Sequence, residues 1–331
     1  MTNTQPDEFV LVGESQQIQG VRRQIQAAAA SDAAVLFTGE SGTGKEIAAH
    51  LLHTMSDRRD RNFVRINAPA IPTQLFESEM FGHTPGALTE RCGKLDQANG
   101  GTLFLDEVGE LEPPVQAKLL QVLQDFRFFP LGSSQEHFVD VRLAAATNHN
   151  LIQAVAEGSF RADLFYRLHE IQIQMPALRE RQEDVPLLMA HYLEYYAKKL
   201  GKPSKPLSPI WMEMLVEYHW PGNVRELRNL AERCVLLGED CIASMVRESR
   251  LANPLFPRVD LNTPLRIQTK RAMRDLEGRI IMGVLEANKW NRKKAAKALD
   301  ISYRSLLYKI KEAGVPSLRR RASTSGTENH A

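Results

Sequence analysis

Val35-Leu36-Phe37-Thr38-Gly39-Glu40-Ser41-Gly42-Thr43-Gly44-Lys45-Glu46 is the stretch that decides how this chain of 331 residues is read. An apolar β-run ends in a glycine-rich turn, and the turn opens a helix predicted from Lys45 to about Thr54. The spacing from Gly39 to Gly44-Lys45 fits a P-loop. Glycines let backbone N–H groups curl around a polyphosphate with no Cβ in the way. The helix start adds the positive end of its dipole to the same place. Lys45 then reaches the β- and γ-phosphates as a point charge. Gly39, Glu40, Ser41, Gly42, Thr43, Gly44, Lys45 and Glu46 are thus the expected ATP-binding turn. Glu46 stands where Ser or Thr usually ligates Mg²⁺, so the metal is expected to lean on a downstream carboxylate and on water. An ordinary glycine turn is the plain alternative, and the phasing of strand, glycines and lysine argues against it.

The downstream carboxylate is found in Gly100-Gly101-Thr102-Leu103-Phe104-Leu105-Asp106-Glu107. A buried strand that delivers two acids at its end is a Walker B pattern. Asp106 is expected to hold Mg²⁺, directly or through water, and Glu107 to polarise the attacking water. Val141 to Ala146 reads as a further buried strand ending in Thr147-Asn148, a polar pair that either caps the strand or contacts the γ-phosphate or the lytic water. Phe63-Val64-Arg65-Ile66-Asn67 reads as a short strand ended by Pro69. Helices are predicted over Ile18 to Ala30, Gln74 to Phe81 and Pro113 to Gln124. Arg161 and Arg167 are either surface charges or, in a ring ATPase, contacts to a neighbour's phosphates.

After the charged hinge Pro176 to Pro186 the alternation of strand and helix stops. Helices over Leu187 to Leu200, Pro209 to Tyr218 and Val224 to Leu237 predict a small all-α lid. Arg225 lies near the start of the last helix and is either a nucleotide contact or part of a surface ion pair.

Charge is unevenly spread. Arg266 to Arg321 holds 16 Lys+Arg against 5 Asp+Glu, and the remainder holds 26 against 35. That asymmetry points to a nucleic-acid-binding end on an acidic body. Ala272 to Ala287 reads as a helix with apolar Met273, Leu276, Ile280, Ile281, Val284 and Leu285. Arg292 to Leu299 is a short helix, Asp300-Ile301 a turn, and Ser302 caps a last helix to about Glu312, which together describe a helix-turn-helix. Ala295, Ala296, Leu299, Ile301, Leu306, Leu307 and Ile310 supply its packing set. Tyr303, Arg304 and Ser305 sit where base edges are usually reached. Lys293, Lys294, Lys309 and Lys311 would neutralise phosphates, and Ser302 and Tyr308 complete the DNA-facing set. The expected ligand is double-stranded DNA with a two-fold site.

No apolar run approaches the ~20 residues of a membrane span, and no signal-peptide core opens the chain. Cys92, Cys234 and Cys241 form no ligand-spaced set, which fits a reducing cytoplasm. Too little precedes the P-loop for a separate sensory domain.

In order along the chain stand GESGTGKE, ESEMFGH, GGTLFLDEVGEL, QAKLLQVLQ, AATN, GSFRADLFYRL, PALRERQEDVP and YHWPGNVRELRN. From Leu11 to Pro316 the chain resembles bacterial sigma-54-dependent activators, which carry an AAA+ ATPase domain and a Fis-type helix-turn-helix. The resemblance implies an α/β P-loop AAA+ domain, a parallel sheet sandwiched by helices, with an α-helical lid and a C-terminal all-α helix-turn-helix domain. The chain is thus expected to divide into an α/β part at 11–178, a lid at 179–245, a proline-interrupted linker at 246–265 and a DNA-binding domain at 266–316, between polar ends at 1–10 and 317–331 expected to be disordered. Glu46 is then the family's usual Walker A residue. Asn67 links Walker B to the remodelling loop, Thr147 and Asn148 are sensor I, Arg161 and Arg167 arginine fingers, and Arg225 sensor II. The implied partners are sigma-54 RNA polymerase, DNA and further copies of the chain, from dimer to hexamer, with ATP and Mg²⁺ as cofactors. The resemblance leaves no stretch of this sequence for the family's sensory domain, so the expectation is control by a regulatory protein acting in trans or by expression level.

The sigma-contacting GAFTGA loop departs from the pattern. Gly86-Ala87-Leu88-Thr89-Glu90-Arg91 stands in its place, with Glu90-Arg91 for Gly-Ala and Leu88 for the aromatic residue. The loop is also short. A second expectation therefore stays open: a DNA-binding regulator, repressor or partner of another sigma factor, that uses ATP as an assembly switch and leaves sigma-54 alone.

Overall fold

The computed structural model describes residues 10–71, 73–82, 92–130, 135–245, 265–288 and 290–312. Expectations for the first nine residues, the loop from Gly86 to Arg91, the linker at 246–264 and the tail after 312 lie outside the described residues. Contacts divide the chain into two units, Met1–Ile242 and Ala243–Ala331.

The first unit is built on a parallel five-stranded sheet of order β2-β3-β6-β1-β7, from β1 (Val35–Thr38), β2 (Phe63–Asn67), β3 (Thr102–Asp106), β6 (Arg142–Thr147) and β7 (Ile171–Gln174). A parallel sheet is covered on both faces, so its strands read as unbroken apolar runs rather than alternating ones. β6 is buried at every position and β3 at all but Asp106. Successive side chains still point to opposite faces. Val35, Phe37, Phe104, Ala144 and Ala146 join the core under α1 (Gln16–Ala29) and α2 (Lys45–Thr54). Leu36, Leu103, Leu105, Leu143 and Ala145 join the other core, under α3 (Thr73–Phe81), α4 (Lys94–Ala98), α5 (Pro113–Asp125), α6 (Leu151–Ala156) and α7 (Ala162–Leu168).

Local chemistry fixes the ends of these helices. Ser15 caps α1, where its hydroxyl accepts from the Ile18 amide, and Ile18, Val21, Ile25 and Ala28 form the buried stripe. Pro113-Pro114 fill the first turn of α5, where a missing N–H costs nothing. Two β features, besides the short helices α4, α6 and α7, were not expected from the sequence. β7 is an Ile-Gln-Ile-Gln edge strand, and β4 (Arg127–Phe128) with β5 (His137–Phe138) makes a small antiparallel hairpin.

The lid follows as α8 (Val185–Leu200), α9 (Pro209–Glu217) and α10 (Asn223–Leu237). Trp220 is fully buried and its indole N–H donates to the Leu215 carbonyl at 2.9 Å. Trp220 and Asn223 both hold positive φ, 48° and 51°, which turns the chain sharply into α10.

In the second unit α11 runs over Leu265–Ala287, seven residues earlier than the start expected at Ala272. α12 (Arg292–Ala298) and α13 (Tyr303–Glu312) complete it. Ile281, Leu285, Ala295, Ala296 and Leu306 form its buried centre, flanked by Val284, Trp290, Leu299, Ile301 and Ile310. Met273 and Ile280, expected among the apolar positions of this helix, are exposed at 62% and 49%. Asp300 adopts positive φ in the turn, and the Ser302 hydroxyl accepts from the Ser305 amide at 3.0 Å, a helix cap.

Candidate nucleotide and DNA sites

The sheet register gathers the chemistry at one edge. Thr38 pairs with Thr147 and Asn67 with Asp106, so the turn after β1, the acids after β3 and the polar end of β6 all lie beyond the carboxyl ends of the strands. In open α/β sheets that is where ligands bind. A cleft of about 420 Å³ opens there, lined by Gly42, Gly44, Lys45, Glu46, Arg65, Asp106, Glu107, Arg225 and Arg228.

Gly44 has φ 101° and precedes α2 without any side-chain cap, which leaves the first amides of that helix aimed at the cleft. Gly42 has φ 80°, and a Cβ there would lie 2.4 Å from the Gly222 carbonyl, so only glycine lets the turn pass this close to the lid. Lys45 is buried and donates to the Gly39 carbonyl at 2.9 Å, with Glu107 at 3.7 Å. Burial lowers its pKa, and the carboxylates of Glu107 and Asp106 work against that shift.

Glu107 sits in the left-handed region at φ 54°, an uncommon conformation for a residue with a side chain and one that often marks a working site. Its Oε2 accepts from the Asn148 amide at 3.2 Å. Thr147 is buried and its hydroxyl accepts from the His149 amide at 3.0 Å. Asn67 is exposed opposite Asp106. Burial pushes the Glu46 carboxyl up, opposed by the charge of Arg65.

Arg225 comes to the turn: its guanidinium donates to the Ser41 hydroxyl at 2.7 Å. Arg161 and Arg167 are not in the cleft. Arg161 pairs with Asp163 at 2.7 Å, while Arg167 donates to the Leu123 carbonyl at 3.0 Å and lies over the Phe126 ring. Glu40 also turns away. Its carboxylate takes the Arg179 fork and the Asn223 amide, partners that hold its pKa down at about 2. Ser41 and Thr43 contribute backbone: the Ser41 carbonyl accepts from Asn223 and the Thr43 carbonyl from buried Arg181. Behind that arginine, Asp184 accepts from the Glu14 and Ser15 amides and the Ser15 hydroxyl.

Sequence reading missed Arg65, Arg228 and Asn223. Arg65 reaches across from β2 to pair with both Glu46 and Asp106, the latter at 2.6 Å. The only signal available for it was its position two residues before Asn67 on a half-exposed strand. Asn223, the first residue of α10, stands within YHWPGNVRELRN, where nothing in the sequence marks its role. Among the described residues no group of three or more His, Cys, Asp or Glu could hold a metal alone. A Mg²⁺ ion at a phosphate takes one or two carboxylates and fills its remaining positions from phosphate and water. Asp106 supplies the hard oxygen donors such a cation needs.

In the second unit, Lys293, Lys294, Ser302, Tyr303, Arg304, Ser305 and Tyr308 are all exposed. Lys309 is not a free cation: its ammonium pairs with Glu277 at 2.6 Å. No helix among the described residues is long and apolar enough to cross a membrane.

Comparison with known proteins agrees with this layout. Residues 11–174 match the sigma-54 interaction domain, 179–258 the AAA+ ATPase lid domain, and 272–312 the bacterial regulatory protein, Fis family. The transcriptional regulatory protein ZraR of Salmonella typhimurium is 41% identical over 310 residues, covering 92% of this chain and 68% of the relative. The response regulator protein PilR of Pseudomonas aeruginosa is 41% identical over 316 residues, covering 94% and 71%. NtrX from Brucella abortus, solved in complex with ATP, superposes with a TM-score of 0.67 at 30% identity, covering 95% of this chain and 71% of that one.

Proposed function

Because the chain belongs to the sigma-54-dependent transcriptional activators, with an AAA+ ATPase and a Fis-type DNA-binding domain, we propose that its cleft binds and hydrolyses ATP to drive that activation. One observation carries the reading: Lys45, Asp106 and Glu107 converge on a single cleft at the carboxyl ends of β1 and β3. The ATP complex of the related NtrX supports the choice of nucleotide.

The amides of the turn and of the α2 start bind the phosphates, and Lys45 leaves the Gly39 carbonyl to meet them. Asp106 would hold Mg²⁺, which would supply positive charge to the phosphates there. Glu107 orients and polarises the attacking water from its place between Lys45 and the Asn148 amide. Asn148 thereby reads the state of Glu107, and Arg225 ties the lid to the Ser41 end of the turn. Arg161 and Arg167 serve a neighbouring copy in a ring, which fits their places outside their own cleft. The Fis-type unit reads a two-fold DNA site through the start of α13, with Arg304 at a base edge.

The loop Gly86 to Arg91 makes coupling the weak step. A loop that pushes on a sigma factor needs backbone freedom and an apolar tip. Glu90 and Arg91 remove the permissive glycine and set charges beside Leu88. Hydrolysis is therefore expected to exceed sigma-54 remodelling.

The test is ATP turnover measured beside nucleotide binding. Lys45→Ala is expected to lose binding. Glu107→Gln is expected to keep binding and lose hydrolysis, because an amide cannot polarise water or accept a proton as a carboxylate does. Normal turnover by Glu107→Gln would remove Glu107 from the reaction.

A further inference from the structure

Four cationic side chains line the nucleotide cleft, Lys45, Arg65, Arg225 and Arg228, against three acids, Glu46, Asp106 and Glu107. Three of the cations have evident places. Lys45 belongs to the phosphate turn, and Arg225 and Arg228 come from the lid helix. Arg65 comes from the opposite side, from the edge strand β2, whose inward positions Val64 and Ile66 leave Arg65 on the exposed face.

Its guanidinium spans two of the acids in the cleft. One nitrogen pairs with Glu46 on the first turn of α2, and the other with Asp106 at the end of β3, at 2.6 Å. The planar fork thus joins carboxylates from two different elements, a bridge that a point-charge ammonium cannot make as well. One of the two is Asp106, the residue assigned above to the divalent cation. Arg65 holds Oδ2 of Asp106, so a cation arriving at that carboxylate contends with Arg65 for it. The side chain is 41% exposed, so the pair is partly screened and exchangeable rather than locked.

We infer that Arg65 is a built-in counter-cation of the nucleotide site, which competes with divalent metal for Asp106 and gives the site affinity for nucleotide without metal. Charge arithmetic supports it. With Arg65 the cleft has one cation more than its acids, and a polyphosphate meets net positive charge before any metal arrives. Without it the two signs are even, and the polyphosphate depends on metal for its neutralisation. When metal loads at Asp106, the freed guanidinium stays within reach of Glu46 and the phosphate edge. This inference rests on the ATP-site reading above.

The experiment is equilibrium binding of N-methylanthraniloyl-ADP to the full chain, from excess EDTA through a Mg²⁺ titration, for wild type, Arg65→Gln and Arg65→Lys. Arg65→Gln is expected to lose about tenfold in metal-free affinity, the scale of one or two partly exposed charge contacts. Its Mg²⁺ half-saturation is expected to move about tenfold lower, for the same reason with the sign reversed. Arg65→Lys should fall between the two, since it keeps the charge and loses the fork. A second readout without nucleotide is Mn²⁺ binding followed by electron paramagnetic resonance, tighter in Arg65→Gln than in wild type. Superimposable Mg²⁺ titrations and equal Mn²⁺ binding would overturn the role of Arg65 while leaving the ATP site standing. A wild-type chain that binds no nucleotide at any Mg²⁺ concentration would overturn both.

Discussion

Glu40 lies inside the phosphate turn, yet its carboxylate serves the lid. The Arg179 fork and the Asn223 amide hold its pKa at about 2, against an ordinary 4.5. A depressed carboxyl contributes stability that is complete above the ordinary pKa and is lost as pH falls through the folded one. The clasp should therefore weaken progressively from pH 4.5 toward about 2. The predicted outcome is a thermal midpoint that drops more steeply on acidification in wild type than in Glu40→Gln. Because Glu40 is 46% exposed, the difference is expected to be small, and parallel acid profiles would remove the clasp as a contributor. Lys45, Asp106 and Glu107 were legible because their spacing along the chain is itself the motif. The partners of Glu40 were not. Arg179 and Asn223 lie 139 and 183 residues away, and nothing in either neighbourhood names the other. Arg65 was invisible for the same reason, since its two acids belong to two other elements.

At the scale of elements, apolar runs gave away β1, β3 and β6, while β7 stayed hidden. An edge strand of four residues with glutamine at alternate positions has no buried second face to mark it. The β4–β5 hairpin, two residues a side, is too short for any period to register. The helix-turn-helix was legible from its packing set, because Ala295, Ala296 and Leu306 fall at helical spacing and are buried together. The Lys309–Glu277 pair was not, since it links α13 to α11. This pair separates two predictions. Arg304→Ala is expected to relax sequence preference at a cost of about 1–3 kcal/mol, the worth of a bidentate base contact. Lys309→Ala should weaken all sequences alike but by less than a free phosphate contact, because its ammonium is already engaged. Binding isotherms on specific and random duplexes check both, and equal losses for Arg304→Ala would demote it to a backbone contact.

At the scale of the whole molecule, Arg161, just before α7, and Arg167, within it, are proposed to act in an assembly. Arg161 and Arg167 are held by Asp163, Leu123 and Phe126, outside the cleft of their own chain. If they act across an interface, specific activity rises with protein concentration. Mixing Arg167→Ala with Glu107→Gln should then restore part of the hydrolysis, since one kind of interface carries both intact groups. Concentration-independent activity with no recovery on mixing would leave them as surface charge. The short loop at Gly86 to Arg91 predicts a second separation, of hydrolysis from output. The unmodified chain is expected to hydrolyse ATP and open a sigma-54 promoter poorly, with rescue when a full GAFTGA loop replaces it. Efficient opening by the unmodified chain would sink that expectation.

The order of the strands also sets a timetable for synthesis. β1 carries the phosphate turn, but its two neighbours in the sheet are β6 and β7, where Val35 pairs with Ala144 and with Ile171. More than a hundred residues must leave the ribosome before β1 has any partner, and Asn223 must follow before the turn meets the lid. Non-local pairing of this kind is slow and leaves apolar edges exposed while it waits. The nascent chain thus emits its most recognisable motif early and completes the corresponding site late, so a ribosome stalled between β2 and β6 displays a β1 strand with neither flank covered.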